Sequence, residues 1–290
     1  MSLGRPTVVV IAGPTAAGKS AVALDFAQAR GGTIINADAS QVYADLRILS
    51  ARPSKADEAT VPHRLYGVID GAEACDAARW AGMARAAIFD TIAAGGLPIV
   101  VGGSGMYLRI LLDGIAAVPP IDPDVRAEVR ALDPAAARAA LAALDPAAAA
   151  KLADPQRVTR ALEVVRSTRR RLADWQAETT GGIATEVVVQ GHVVDLPRPA
   201  LHTRIDARLD AMLAAGVLDE VAALGRRGLA ADAPVMKALG VPPLLAHLRG
   251  EIELGAAIER TRLDTRHYAK RQQTWFRNQT SSWQRGLSTG

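Results

Sequence analysis

Cysteine is nearly absent from this chain: Cys75 is the only one in 290 residues. That excludes an internal disulfide and any cysteine-built zinc site, and it suits a reducing compartment. Aromatic residues are also scarce, at 4%, so the core must be built from Ala, Val, Leu and Ile. Lysine is rare. Among 34 basic residues only Lys19, Lys55, Lys151, Lys237 and Lys270 are not arginine. The five histidines, His63, His192, His202, His247 and His267, show no metal-ligand spacing, and none is assigned to catalysis. No apolar run approaches the roughly 18 residues of a membrane span, and no signal-peptide pattern precedes the first strand pattern. Together these absences point to a cytoplasmic protein.

What is present is globular: 49% hydrophobic and 22% charged residues, enough chain for one large domain and a modest second one. A net charge of +4 points mildly to a polyanionic partner. Arginine suits phosphate through its planar fork, although the composition of an Ala-rich chain produces the same bias.

The most informative stretch is Gly13-Pro14-Thr15-Ala16-Ala17-Gly18-Lys19-Ser20, which fits G-x-x-x-x-G-K-[ST] without mismatch. Thr7 through Ile11 before it reads as a buried strand, and Ala21 through Ala27 after it as a helix. In that context the loop turns successive backbone N–H groups toward one anion, with a helix N-terminus behind them. Lys19 adds a point charge and Ser20 a hydroxyl for Mg²⁺. A di- or triphosphate is the implied ligand.

Strand and helix signals alternate to about residue 115. Thr33 through Asp38 reads as a strand, Trp80 through Ala93 as a helix, Leu97 through Val101 as a strand, and Met106 through Leu112 as a helix. This alternation predicts an α/β fold with a parallel sheet covered on both faces, its ligands at the carboxyl ends of the strands. Gly13–Ser20, Asp38 and Gly102–Gly105 should therefore converge on one crevice. From 119 to 182 strand signals vanish. Asp122-Pro123, Asp133-Pro134, Asp145-Pro146 and Asp154-Pro155 each read as an N-cap followed by proline at the first helical position, so several short helices are expected. Residues 132–137 and 144–149 repeat LDPAAA, a local duplication. Strand signals return at 186–189 and 192–194.

Asp38 closes its strand and either holds Mg²⁺, serves as a general base beside the phosphates, or caps a following helix. Asp195, also at the end of an apolar run, is its rival for a metal. Arg262, Arg266 and Lys270 recur at i, i+4 and i+8, with Arg271, Arg277 and Trp275-Phe276 nearby: either a nucleic-acid surface or a solvated helix face. Arg204 and Arg208 either pair with Asp206 and Asp210 or clamp the diphosphate opposite Lys19.

Taken in order, these motifs resemble the tRNA dimethylallyltransferase (tRNA isopentenyltransferase) family. The resemblance rests on GPTAAGKS at 13–20, NADASQVY at 36–43, LPIVVGGSGMYLRILLDG at 97–114, QRVTRALEVV at 156–165, RIDARLDAML at 204–213 and TRHYAKRQQTWFRNQ at 265–279. It implies a P-loop NTPase-like core, residues 1–118 and 183–290, with a small all-helical insertion, 119–182, that contacts tRNA. It further implies transfer of a dimethylallyl group from dimethylallyl diphosphate to N6 of adenosine 37, beside the anticodon. A monomer is the default expectation, and no membrane partner is expected. The P-loop then holds a diphosphate leaving group in place of ATP. Lys19, Arg208, the N–H groups of residues 15–20 and Mg²⁺ on Ser20 stabilise it, and Asp38 removes the proton of the adenine amine. Asp38, Ala39, Ser40, Gln41, Ser104, Arg126, Gln156, Arg157, Val158, Thr159, Arg160, Arg262, Arg266, Lys270 and Arg271 are the implied tRNA contacts. The family usually has Asp-Ser-Met-Gln at residues 38–41, Thr at 104, and Gly-Thr-Ala-Lys-Pro where this chain has Leu49-Ser50-Ala51-Arg52-Pro53. Rival readings are a small-molecule P-loop kinase, a free-adenylate prenyltransferase and a nucleotide-gated RNA-binding protein.

Overall fold

The computed structural model describes residues 4–286, and the chain divides into two compact units, Met1–Leu112 with Ile183–Gly290, and Asp113–Gly182. The first unit begins with β1 (Thr7–Ala12), α1 (Lys19–Arg30), β2 (Gly32–Asn36), α2 (Lys55–Thr60), β3 (His63–Arg64), α3 (Ala77–Ala93), β4 (Leu97–Gly102) and α4 (Gly105–Asp113). The second holds β5 (Ile115–Ala116), α5 (Pro123–Ala131), α6 (Pro134–Leu144), α7 (Pro146–Lys151), α8 (Pro155–Thr168), α9 (Leu172–Gln176) and β6 (Thr179–Thr180). The chain then returns to the first unit through β7 (Val188–Val193), α10 (Arg198–Ala214), α11 (Val217–Arg226), a 3₁₀ turn at Pro234–Lys237, α12 (Val241–Leu248), α13 (Leu254–Gln279) and β8 (Gln284–Arg285).

Six parallel strands in the order β3-β2-β4-β1-β7-β8 form the sheet of the first unit. Alternate residues of each strand point to opposite faces, and the core divides accordingly. Val8, Val10, Ala12, Ile35 and Val100 pack with Trp80 and Ile88 of α3 and Leu108 of α4. Val9, Ile11, Ile34, Ile99 and Val101 pack with Val22, Ala23 and Ala27 of α1 and with Leu201 and Ile205 of α10. Burial on both faces is why these strands are continuous apolar runs. The expected strands at 186–189 and 192–194 are one strand. Gly191 pairs with Val10, and the Trp283 ring lies so close that a Cβ at 191 would meet it at 2.3 Å.

In the second unit each Asp-Pro pair opens a helix. Asp122, Asp133, Asp145 and Asp154 accept from backbone N–H groups of the first turns of α5 to α8. The repeated LDPAAA supplies the starts of α6 and α7. Val129, Ala137, Leu141, Val158 and Leu162 form the core of this unit. It is not all-helical. Ile115 and Ala116 pair antiparallel with Thr180 and Thr179, and this ribbon moves the start of the unit from 119 to 113. A two-residue strand is too short to show alternation in the sequence.

Candidate active site

The turn from β1 into α1 is shaped by backbone conformations that side chains resist. Gly13 has φ 148°, and a Cβ there would lie 2.1 Å from the Val194 carbonyl oxygen; Ala16 and Gly18 also have positive φ, at 62° and 99°. Around this loop the protein gathers cations. The Lys19 ammonium donates to Pro14 O at 2.7 Å, Arg204 to Ala17 O at 3.2 Å, and Arg208 to Thr15 Oγ1 at 3.2 Å. Burial lowers the Lys19 pKa to about 8; the Asp38 carboxylate opposes that shift and Arg208 adds to it. Burial also lowers the Arg208 pKa, against Asp38. Two cations whose charge burial disfavours, facing one loop, suit an anion. Ser20, on the first turn of α1, is exposed.

Asp38 stands two residues beyond β2. The fully buried Asn36 holds it in place, accepting from Asp38 N at 2.8 Å and donating to Asp38 O at 3.0 Å and Leu65 O at 3.1 Å. One carboxylate oxygen accepts from Ser40 N at 2.9 Å. No helix follows, so the helix-cap reading is set aside: Asp38 closes a turn, and its second oxygen makes no hydrogen bond among the described residues. Ser104 ties the β4 turn to this segment. Its Oγ accepts from Ala39 N at 2.9 Å and its N–H donates to Ala37 O at 3.2 Å. Tyr268 of α13 lies beside Ser104 and Gln272, and burial together with the Asp38 charge pushes its pKa well up. Asp195, the rival carboxylate, is exposed at the end of β7, where Gln273 Nε2 donates to it at 2.8 Å.

Asp38, Ser40, Thr15, Ala16, Arg208 and Tyr268 line one cavity together with apolar side chains, Leu46, Leu49, Ile205, Leu209 and Met212 of α10 and Ala238-Leu239, and with Ser50, Thr261, Arg262 and Thr265. A charged end and a greasy end thus share one space. Gln41, which the resemblance makes a tRNA contact, spends its amide N–H groups on Ser50 O and Ala51 O at 2.9 and 3.0 Å, bracing the loop that carries Leu46 and Leu49.

The basic stripe of α13 is not a free surface. Arg266 reaches Asp206 of α10 at 2.6 Å, and Arg262 reaches Asp210 at 2.7 Å and Glu259 at 2.6 Å. These two arginines therefore dock α13 on α10, and they take the acidic partners that one reading gave Arg204 and Arg208. Lys270 and Arg271 are exposed, the latter over the Tyr268 ring. In the second unit Arg126, Gln156 and Arg157 are exposed. Val158, expected at the tRNA surface, is 1% exposed in the core; a helix period of 3.6 turns it away from Arg157. Thr159 is half-buried, and Arg160 leans on the buried Glu163 at 3.5 Å.

The family model described as IPP transferase matches residues 41–279, and the one described as isopentenyl transferase matches residues 6–74. The chain belongs to the IPP transferase family. It is 55% identical to the tRNA dimethylallyltransferase of Sphingopyxis alaskensis, over 97% of this chain and 94% of that one. To that of Rhodospirillum rubrum it is 53% identical, over 96% and 87%. Among solved structures it resembles the tRNA isopentenylpyrophosphate transferase of Bacillus halodurans, with a TM-score of 0.71 and 30% identity over 97% of this chain and 89% of that one. It also resembles a eukaryotic dimethylallyltransferase acting on tRNA, with a TM-score of 0.83 and 28% identity over 93% and 70%.

Within this IPP transferase fold, Gln272 is a residue of the site that lies inside the 265–279 motif but is given no role of its own there. It is 4% exposed, accepts from Thr15 N and donates to Gly103 O, both at 2.8 Å, so α13 joins the P-loop to the β4 turn. Besides that motif, the signal in the sequence is a polar residue at i+3 from Ala269 and i−4 from Phe276, on the buried face of the helix.

Proposed function

We propose that this chain transfers the dimethylallyl group of dimethylallyl diphosphate to N6 of adenosine 37 in tRNA and releases diphosphate. The observation that carries the reading is the cavity itself: Thr15 and Ala16 of the phosphate loop beside Arg208, one carboxylate with an oxygen free, and a group of apolar side chains, all on one space. A prenyl diphosphate has the matching halves. Its diphosphate meets Lys19, Arg208 and the loop N–H groups, which stabilise the charge that grows as the C–O bond breaks. Its allyl group lies against the leucines. Asp38 accepts the proton that N6 loses as the C–N bond forms. The target base leaves its stack to reach this depth, which a single-stranded anticodon loop makes inexpensive.

Ser20, exposed on the first turn behind the phosphate loop, is the residue that would hold Mg²⁺. One protein hydroxyl suits an ion that takes most of its ligands from substrate phosphates and water. Bound there, Mg²⁺ would neutralise charge on the leaving group. Lys270 and Arg271 on α13, with Arg126, Gln156 and Arg157 in the second unit, are the exposed groups we assign to tRNA. No helix among the described residues is long and apolar enough to cross a membrane. We infer a monomer acting in the cytoplasm.

The test supplies labelled dimethylallyl diphosphate and Mg²⁺ with unmodified tRNA, adenosine monophosphate or ATP as the second substrate. Label in tRNA alone is expected. Label in the mononucleotide would mark a free-adenylate prenyltransferase, and phosphoryl transfer from ATP would mark a kinase.

A further inference from the structure

We propose that Glu220 is a positioning residue that sets the length of prenyl chain the enzyme accepts, by fixing the apolar wall of the Asp38 cavity. This rests on the prenyl-transfer reading. Residues 38–53 cross the site with neither helix nor long strand to stiffen them. Their turn at 47–49 instead points three successive backbone N–H groups the same way, as in a nest that binds an anion. The anion is a side chain. Glu220, in the first turn of α11, accepts from Arg47 N at 2.6 Å and Ile48 N at 2.7 Å through Oε1, and from Leu49 N at 2.8 Å through Oε2.

These bonds are charge-assisted and share one rigid acceptor, so the carboxylate fixes the turn more firmly than a neutral group would. Leu49 stands in that turn and Leu46 beside it, and both line the cavity together with Ile205, Leu209 and Met212. Leu49 is also stopped from behind: a Cβ at Gly240 would lie 2.9 Å from its Cδ1. Glu220 makes no hydrogen bond to the P-loop or to Asp38 among the described residues, so its effect falls on the hydrocarbon end of the substrate and not on the diphosphate end.

The test compares the native enzyme with Glu220→Gln on unmodified tRNA, with dimethylallyl, geranyl and farnesyl diphosphates. Glutamine keeps the size but offers an amide donor where one carboxylate oxygen accepted. The preference in kcat/KM for the five-carbon over the ten-carbon donor is expected to fall by about tenfold or more, the scale on which apolar pockets discriminate methylenes. Inhibition by inorganic diphosphate, which reads the P-loop alone, is expected to stay at the native value. Leu49→Ala removes wall without touching α11, and it should relax the same preference even where Glu220→Gln fails to fold. Native preference in a folded Glu220→Gln enzyme or in Leu49→Ala overturns the proposal, as does a loss of diphosphate inhibition matching the change in preference. A native enzyme inactive with dimethylallyl diphosphate overturns the proposed function, and this inference with it.

Discussion

Lys19 is half-buried against its loop, and its lowered pKa gives the site a pH signature. Because burial disfavours the ammonium, the folded protein loses this proton near pH 8 while the unfolded chain keeps it to about 10.5. The sign follows. Below pH 8 the burial cost is fully present, and between pH 8 and 10.5 it is relieved as the unfolded state binds the extra proton, so this group's contribution to stability rises with pH there. Anion binding runs the other way, since only the ammonium attracts diphosphate. Affinity should be level below pH 8 and fall above it, with proton uptake on binding seen as a buffer-dependent calorimetric enthalpy. Lys19→Met should abolish that dependence, weaken prenyl diphosphate binding and slow transfer together. Asp38→Asn should leave both substrates bound and lower kcat by about 10²–10⁴-fold, the usual worth of a positioned base. A near-native kcat in that variant would reduce Asp38 to a turn former.

Helix α13 shows what periodicity tells about an element and what it does not. The i, i+4, i+8 spacing places Arg262, Arg266 and Lys270 on one face. Nothing in that spacing says that Asp206 and Asp210 of α10 cover the first two, because partners distant in sequence leave no local pattern. The two kinds of basic residue should separate by experiment. Arg266→Ala breaks an ion pair between half-buried groups and should cost stability, about 1 kcal/mol by denaturant titration. Lys270→Ala with Arg271→Ala should instead raise KM for tRNA and make its salt dependence shallower, by about the share of two phosphates that the protein no longer neutralises, with KM for the prenyl diphosphate unmoved. An unchanged salt slope would remove this face from the tRNA surface. Strands divide in the same way. β1, β2 and β4 are legible as β-branched apolar runs buried on both faces. β3 and β8 are two-residue edges, His63-Arg64 and Gln284-Arg285, whose side chains carry no alternation.

At the scale of the whole molecule, the P-loop, the interrupted α/β order and the Asp-Pro helix starts are readable because each is a local instruction. The junction of loop, Asp38 and α13 is not, since it depends on Gln272 and Asn36 meeting backbone groups brought in by the fold. The second unit has its own core, which permits a selective test. Leu162→Ala removes a fully buried side chain there and should destabilise that unit by about 2–5 kcal/mol, while diphosphate binding, which we propose for the first unit, is expected to stay at its native affinity. A loss of diphosphate affinity would mean that the anion site depends on that core. Prenyl transfer to one adenosine of tRNA is read out by digesting tRNA to nucleosides and mapped fragments after incubation with the enzyme, dimethylallyl diphosphate and Mg²⁺. One dimethylallyl unit is expected on N6 of the adenosine beside the anticodon, and none with Asp38→Asn at the same early time. Unmodified tRNA in the native reaction, or the same yield from both enzymes, would refute that chemistry.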